Sequence, residues 1–213
     1  MYQRKDSFYR RAKQSGQRSR AAYKLEELSA RYHLFKPGQK VLDIGAWPGG
    51  WLQVAAQQVG PRGLVLGVDL QPIAPLPTTF SNVTTVVGDI TSPATIEKIT
   101  LWAAGGVDVV LSDIAPKLTG IRDRDVAVAQ ALVDSVLDLT LNLLRSGGTL
   151  IVKLFMSDAV AAYVERLRSC FRHVCTTRPQ ATRKGSSELY AVATGFRGRG
   201  TVSTSRAGTP STL

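Results

Sequence analysis

The heptapeptide TLIVKLF, residues 149–155, reads as a buried strand because five of its seven residues are apolar, yet Lys153 stands inside it. Lysine is seldom fully buried without a partner, and an unpaired ammonium in an apolar site tends to give up its proton. A lysine so placed suits proton exchange, provided that neighbouring charges set its state. Three residues elsewhere are candidates for those neighbours. Asp113 ends an apolar run in SDIAP, Glu188 opens ELYAVATGF, and Lys24 lies one helical turn before Leu28. Taken singly, each has a plainer explanation: a strand-end aspartate is usually a turn, a helix lysine usually snorkels to water, and Glu188 would be solvated.

A second group of residues gathers around DIGAWPGGW. Glycines let a backbone approach a ligand closely, and the start of the following helix offers free N–H groups. Asp43 precedes Gly45 and Gly49, with Trp51 just beyond. The G-x-G-x-x-G dinucleotide fingerprint would need glycine where Trp47 stands, at the position that meets a pyrophosphate, so a dinucleotide is disfavoured. Asp69 ends the next strand, where an acid can bond ribose hydroxyls. Asp89 ends the one after, where it can accept from an adenine amino group.

Positioning these residues requires a rhythm of strand, loop and helix, which runs from residue 40 onward. KVLDIG, LVLGVDL, NVTTVVGDI, VDVVLSDIAP and TLIVKLF alternate with helical stretches, one of them long, over 123–144, stopping at SGG. HVCTTRP and ELYAVATGF have no helix between them and should pair antiparallel. The pattern predicts a Rossmann-like α/β fold with a mainly parallel seven-stranded sheet, an antiparallel last strand and helices on both faces. Ligands of such a sheet bind outside the carboxyl ends of its strands, where the strand order reverses. Asp113, Lys153 and Glu188 then share one mouth. Ahead of the sheet, Ser19 is placed to cap a helix whose apolar face is Ala21, Leu25, Leu28 and Tyr32.

The 213 residues suit one domain over 20–196, between a basic arm at 1–19 and a small, polar, aperiodic tail at 197–213 that reads as disordered. The net charge of +11 and the pI near 10.1 favour a polyanionic partner. Residues 1–20 carry seven basic residues and one acid, with Tyr2, Phe8 and Tyr9 interleaved. No run approaches the roughly 20 consecutive apolar residues of a membrane span, and the charged start is unlike a secretory signal. Cys170 and Cys175 lack metal-ligand company and a disulfide pattern. These features predict a cytoplasmic monomer that binds no metal.

Together, RSRAAYKLEEL, VLDIGAWPGGWLQVA, GVDL, GDI, SDIAP, LIVKLF and SSELYAVATGF resemble the FtsJ/RrmJ family of S-adenosylmethionine-dependent RNA ribose 2'-O-methyltransferases, over about residues 3–196. The resemblance implies a catalytic tetrad of Lys24, Asp113, Lys153 and Glu188. It implies a cofactor site including Gly49, Trp51, Asp69, Asp89 and Asp113, with Asp43 and Gly45 in the same loop. The compact length and short basic arm are most similar to members that methylate a uridine in large-subunit ribosomal RNA. Trp47 departs from the family, which usually has a small residue there. For such a reaction, a ribose hydroxyl must lose its proton. Lys153 is the expected base, Asp113 and Glu188 its orienters, and Lys24 the group that positions the 2'-oxygen. Two other readings share the scaffold: a non-catalytic RNA-binding or ribosome-assembly protein, and a methyltransferase acting on tRNA. A small-molecule methyltransferase fits the net charge poorly.

Overall fold

The structure, a computed structural model, describes residues 16–116, 119–183 and 185–198. Most of the expected arm and most of the expected tail lie outside these residues. The elements are α1 (Ala21–Tyr32), β1 (Lys40–Ile44), α2 (Gly50–Val59), β2 (Leu64–Asp69), β3 (Val83–Val87), α3 (Pro93–Trp102), β4 (Val107–Ser112), α4 (Arg122–Leu143), β5 (Leu144–Phe155), α5 (Ala159–Cys170), β6 (Phe171–Thr177) and β7 (Glu188–Phe196). They form one seven-stranded sheet in the order β3-β2-β1-β4-β5-β7-β6. All pairings from β3 through β5 are parallel, and β7 runs antiparallel between β5 and β6. This is the predicted sheet. The order reverses between β1 and β4, and that break sets the mouth at the strands' carboxyl ends.

Central strands are buried on both faces, which explains their nearly unbroken apolar runs. One face packs on α1 and α2 through Leu25, Leu28, Val41, Val109, Ile151 and Val192. The other packs on α3, α4 and α5 through Ile99, Leu137, Leu167, Val110, Leu150 and Ala191. Lys153 alternates with Ile151 along β5, so it lies on the α1 face, directly opposite Tyr190 of β7.

Two expectations are corrected. α1 begins at Ala21 with Arg20 at its N-cap and no side-chain cap. The Ser19 hydroxyl instead packs against Gly50, where a Cβ would lie 2.4 Å away, and finds no hydrogen-bond partner among the described residues. Docking of this segment on the start of α2 overrides the cap. The long helix keeps its expected span to within one residue, but SGG falls inside β5 and not in a loop ahead of it. α4 ends at Leu143 and the chain passes straight into β5, within which residues 145–148 bulge as the register steps from Val107↔Leu144 to Val109↔Thr149. Arg145 fastens the bulge by donating from Nε to the Gly105 carbonyl (2.6 Å) and from Nη1 to Asp108 (3.1 Å). Finally, Arg124–Leu143 is long and apolar enough by composition to cross a bilayer. In the fold it packs along β5, while Asp134 and Asp138 on its outer side ion-pair with Arg166 of α5 at 2.8 and 3.0 Å.

Candidate active site

Lys24, Asp113, Lys153 and Glu188 converge at the mouth, brought from α1, the exit of β4, β5 and the start of β7. They line a cavity of about 570 Å3 together with Arg20 and Arg183, a size that suits a small ligand or one nucleotide. Lys153 is only 6% exposed, and its ammonium donates to the Asp113 carbonyl at 2.6 Å and ion-pairs with Asp113 Oδ1 at 3.1 Å. Glu188 takes the other lysine: Lys24 Nζ lies 2.5 Å from Glu188 Oε1. The two carboxylates therefore divide between the two lysines, where the sequence reading set both on Lys153.

A fifth residue, missed at the sequence level, joins the two pairs. Tyr190 OH donates to Asp113 Oδ1 at 2.6 Å and accepts from Lys24 Nζ at 3.1 Å. Burial and the adjacent Asp113 charge push its phenol well above the ordinary tyrosine range, so it remains a donor to the carboxylate. The result is a continuous chain, Glu188–Lys24–Tyr190–Asp113–Lys153. The signal was present in the sequence: Tyr190 follows Glu188 by two, and a strand sends such residues to the same face.

The loop between β1 and α2 is shaped by two glycines. Gly45 has φ +79°, and a Cβ there would sit 2.9 Å from Ile114 Cα. Its bareness lets the exit of β4, and with it Asp113, lie directly against the loop. Gly49 has φ +103° and forms the N-cap of α2. Across Gly49 lies the Arg18 side chain, which donates to the carbonyls of Pro48, Ala74 and Pro75, while its own backbone N–H donates to Gln53 Oε1 at 2.9 Å.

Asp69 holds the loop from the side, accepting from the Trp47 N–H at 2.9 Å and the Gln71 N–H at 2.8 Å. Trp47 thus contributes its backbone, and the residue is 52% exposed, which leaves room for its large side chain. Asp89 lies just beyond β3 and bonds the backbone and hydroxyl of Thr91, which holds its carboxyl below the usual range. Trp51 is placed differently from a cavity-lining residue. It is buried, donates from Nε1 to the Ala21 carbonyl at 2.8 Å, and packs 5.9 Å from the Tyr190 ring. Its side chain docks α1 onto α2 and thereby sets Lys24.

Asp43 lies beneath this loop, fully buried, and neither of its carboxylate oxygens has a hydrogen-bond partner among the described residues. Burial, then the charges of Asp113 and Asp69, push its carboxyl well above the ordinary range. A buried carboxyl with no partner, beside Asp69 and Asp113 at a glycine loop, calls for a ligand that brings hydrogen-bond donors. The ammonium and hydroxyl groups of S-adenosylmethionine are such donors, so the residues fit it.

Comparison with known proteins agrees. The profile of FtsJ-like methyltransferases matches residues 17–196. The chain is 43% identical over 196 residues to the ribosomal RNA large subunit methyltransferase E of Methanothermobacter thermautotrophicus, covering 92% of each protein. A crystal structure of a ribosomal RNA methyltransferase from Plasmodium falciparum superposes with a TM-score of 0.76 at 30% identity, over 85% of this chain and all of that one. Fibrillarin of Aeropyrum pernix, solved with S-adenosyl-L-methionine bound, shares the fold at a TM-score of 0.50 and 17% identity, over 83% of this chain and 74% of that one.

Proposed function

The chain belongs to the FtsJ-like methyltransferase family, and from that premise we propose that it methylates the 2'-hydroxyl of a uridine ribose in large-subunit ribosomal RNA, drawing the methyl group from S-adenosylmethionine. The observation that carries the reading is the chain of contacts from Glu188 to Lys153 beside the glycine loop. It brings two ammonium groups and a proton-transfer network to one cavity, with the glycine loop packed against the exit of β4 beside it.

Asp43, Gly45, Gly49, Asp69, Asp89 and Asp113 would hold the cofactor. When bound, it supplies a methyl group already activated by the sulfonium. What remains for the protein is to align the ribose and remove one proton. Once its Nζ has released a proton to solvent, Lys153 takes the proton of the 2'-hydroxyl, and Asp113 fixes the Nζ that receives it. Lys24, oriented by Glu188, holds the 2'-oxygen, and Tyr190 keeps the two lysines at a set separation. Residues 1–19 act as an arm on RNA phosphates, in keeping with the net charge.

The test is incubation of the protein with methyl-tritiated cofactor and separate pools of unmodified ribosomal RNA and tRNA, followed by alkaline hydrolysis and nucleoside mapping. A 2'-O-methyl group blocks cleavage of its own linkage, so label in an alkali-resistant dinucleotide containing uridine, from large-subunit RNA, is the expected outcome. Label in a base overturns the ribose assignment, and label confined to tRNA overturns the ribosomal one.

A further inference from the structure

The cavity that holds the two lysines is also lined by Arg20 and Arg183. Among the described residues its charged side chains are four cations (Arg20, Lys24, Lys153, Arg183) and two carboxylates (Asp113, Glu188). Each carboxylate is ion-paired with a lysine. The arginines stand within each other's field: burial, followed by the Arg183 charge, lowers Arg20 from its ordinary range, against the pull of Glu188.

The segment that brings them together is braced. Arg178 Nη2 donates to the carbonyls of Arg183 and Ser186, so the loop between β6 and β7 is tied across its neck. The Gln180 N–H donates to Glu27 Oε2 at 2.7 Å, and Arg20 donates to the Ala181 carbonyl, so the same loop is pinned to α1. A loop fixed at four points thus holds a second arginine at the cavity that Arg20 already lines, and two guanidiniums at one cavity make a site shaped for an anion. Guanidinium is the group best shaped for a phosphate, since it offers two parallel donors to two oxygens.

We propose that Arg20 and Arg183 form a phosphate subsite, which grips the phosphodiester flanking the ribose whose hydroxyl enters between Lys24 and Lys153. The proposal rests on the RNA reading above and deepens it. The subsite selects a nucleotide within a strand over a free nucleoside, and it reads no base, so sequence preference comes from other surfaces.

Arg183 is the residue to change, because its side chain is exposed and its removal leaves the core intact. The full-length protein and its Arg183→Ala, Arg183→Gln and Arg183→Lys variants are titrated with a fluorescent single-stranded RNA ten nucleotides long over a range of salt. Arg183→Ala should weaken binding about tenfold at low salt. It should also flatten the log–log salt slope by about 0.7, the increment for one phosphate on a single strand. Arg183→Lys should recover part of that slope and Arg183→Gln none, with S-adenosylmethionine affinity and melting temperature unchanged throughout. A wild-type slope in Arg183→Ala, or lysine no better than glutamine, overturns the subsite. Failure of the wild-type protein to bind RNA or to label ribose would instead bring down the functional reading itself, so the two failures are distinct.

Discussion

The two halves of the mouth are built on opposite plans. Around the glycine loop, acids bond nearby groups or nothing: Asp69 accepts from peptide N–H groups, Asp89 from the N–H and hydroxyl of Thr91, and Asp43 has no partner among the described residues. On the β5–β7 side Lys24 and Lys153 are each matched by a carboxylate from a distant element, and the phenol of Tyr190 joins the two pairs. The first half keeps a buried carboxyl without a partner, which a ligand's donors can satisfy. In the second, the two lysine–carboxylate pairs hold one another in place, as groups that handle a proton must be held. Binding and chemistry should therefore separate under mutation.

The sharpest break is Lys153→Ala. Single-turnover transfer at saturating cofactor should fall by about 10²–10⁴-fold, the usual value of a general base, while calorimetry shows cofactor affinity kept within about twofold. A rate within about threefold of wild type would demote Lys153 to a packing residue. Asp113→Ala comes next and should breach the division, because Asp113 touches Lys153 and Tyr190 and also contributes to the field at Asp43. We expect a rate loss of about 100-fold together with weaker cofactor binding.

Asp43→Asn should act on binding alone, lowering cofactor affinity about tenfold with the saturated rate nearly retained. It also carries a pH signature. Because the folded Asp43 carboxyl titrates well above its unfolded value, the native state holds more protons than the unfolded chain over that interval. Stability of the ligand-free protein therefore declines as pH rises from about 4 toward the folded value. The amide cannot ionise and removes this decline, so thermal melts of Asp43→Asn should be flatter with pH and higher near neutrality. The smallest effect is expected from Tyr190→Phe: about 1 kcal/mol of stability and a severalfold loss of rate, since Lys24 and Asp113 keep their own partners. A loss as large as that of Lys153→Ala would make the phenol part of the proton path.

The same division explains what the sequence disclosed. The strands, their directions and the glycine loop follow from periodicities and turn residues that are local, and they were legible. Lys153 stood out because its burial contradicts its charge. The pairing of Glu188 with Lys24 was not legible, because it depends on how far α1 slides along the sheet, which the Trp51–Ala21 bond settles. The Ser19 cap and the placing of SGG ahead of β5 failed for a related reason: in each case a long-range contact, with Gly50 and with Asp108 and Gly105, overrode a local preference.

The bond between Lys24 and Glu188 spans 164 positions of the chain, and that between Lys24 and Tyr190 spans 166. During synthesis α1 leaves the ribosome early, whereas β7 is almost the last element to emerge. Until then Lys24 lacks the carboxylate that orients it, and β5 lacks the neighbour that seats Tyr190 against Asp113. The strands that hold the cofactor loop, β1 to β3, are complete far sooner. A nascent chain can thus assemble the elements of its binding half well before its chemical half, and catalytic competence arrives in one late step, when β7 inserts between β5 and β6.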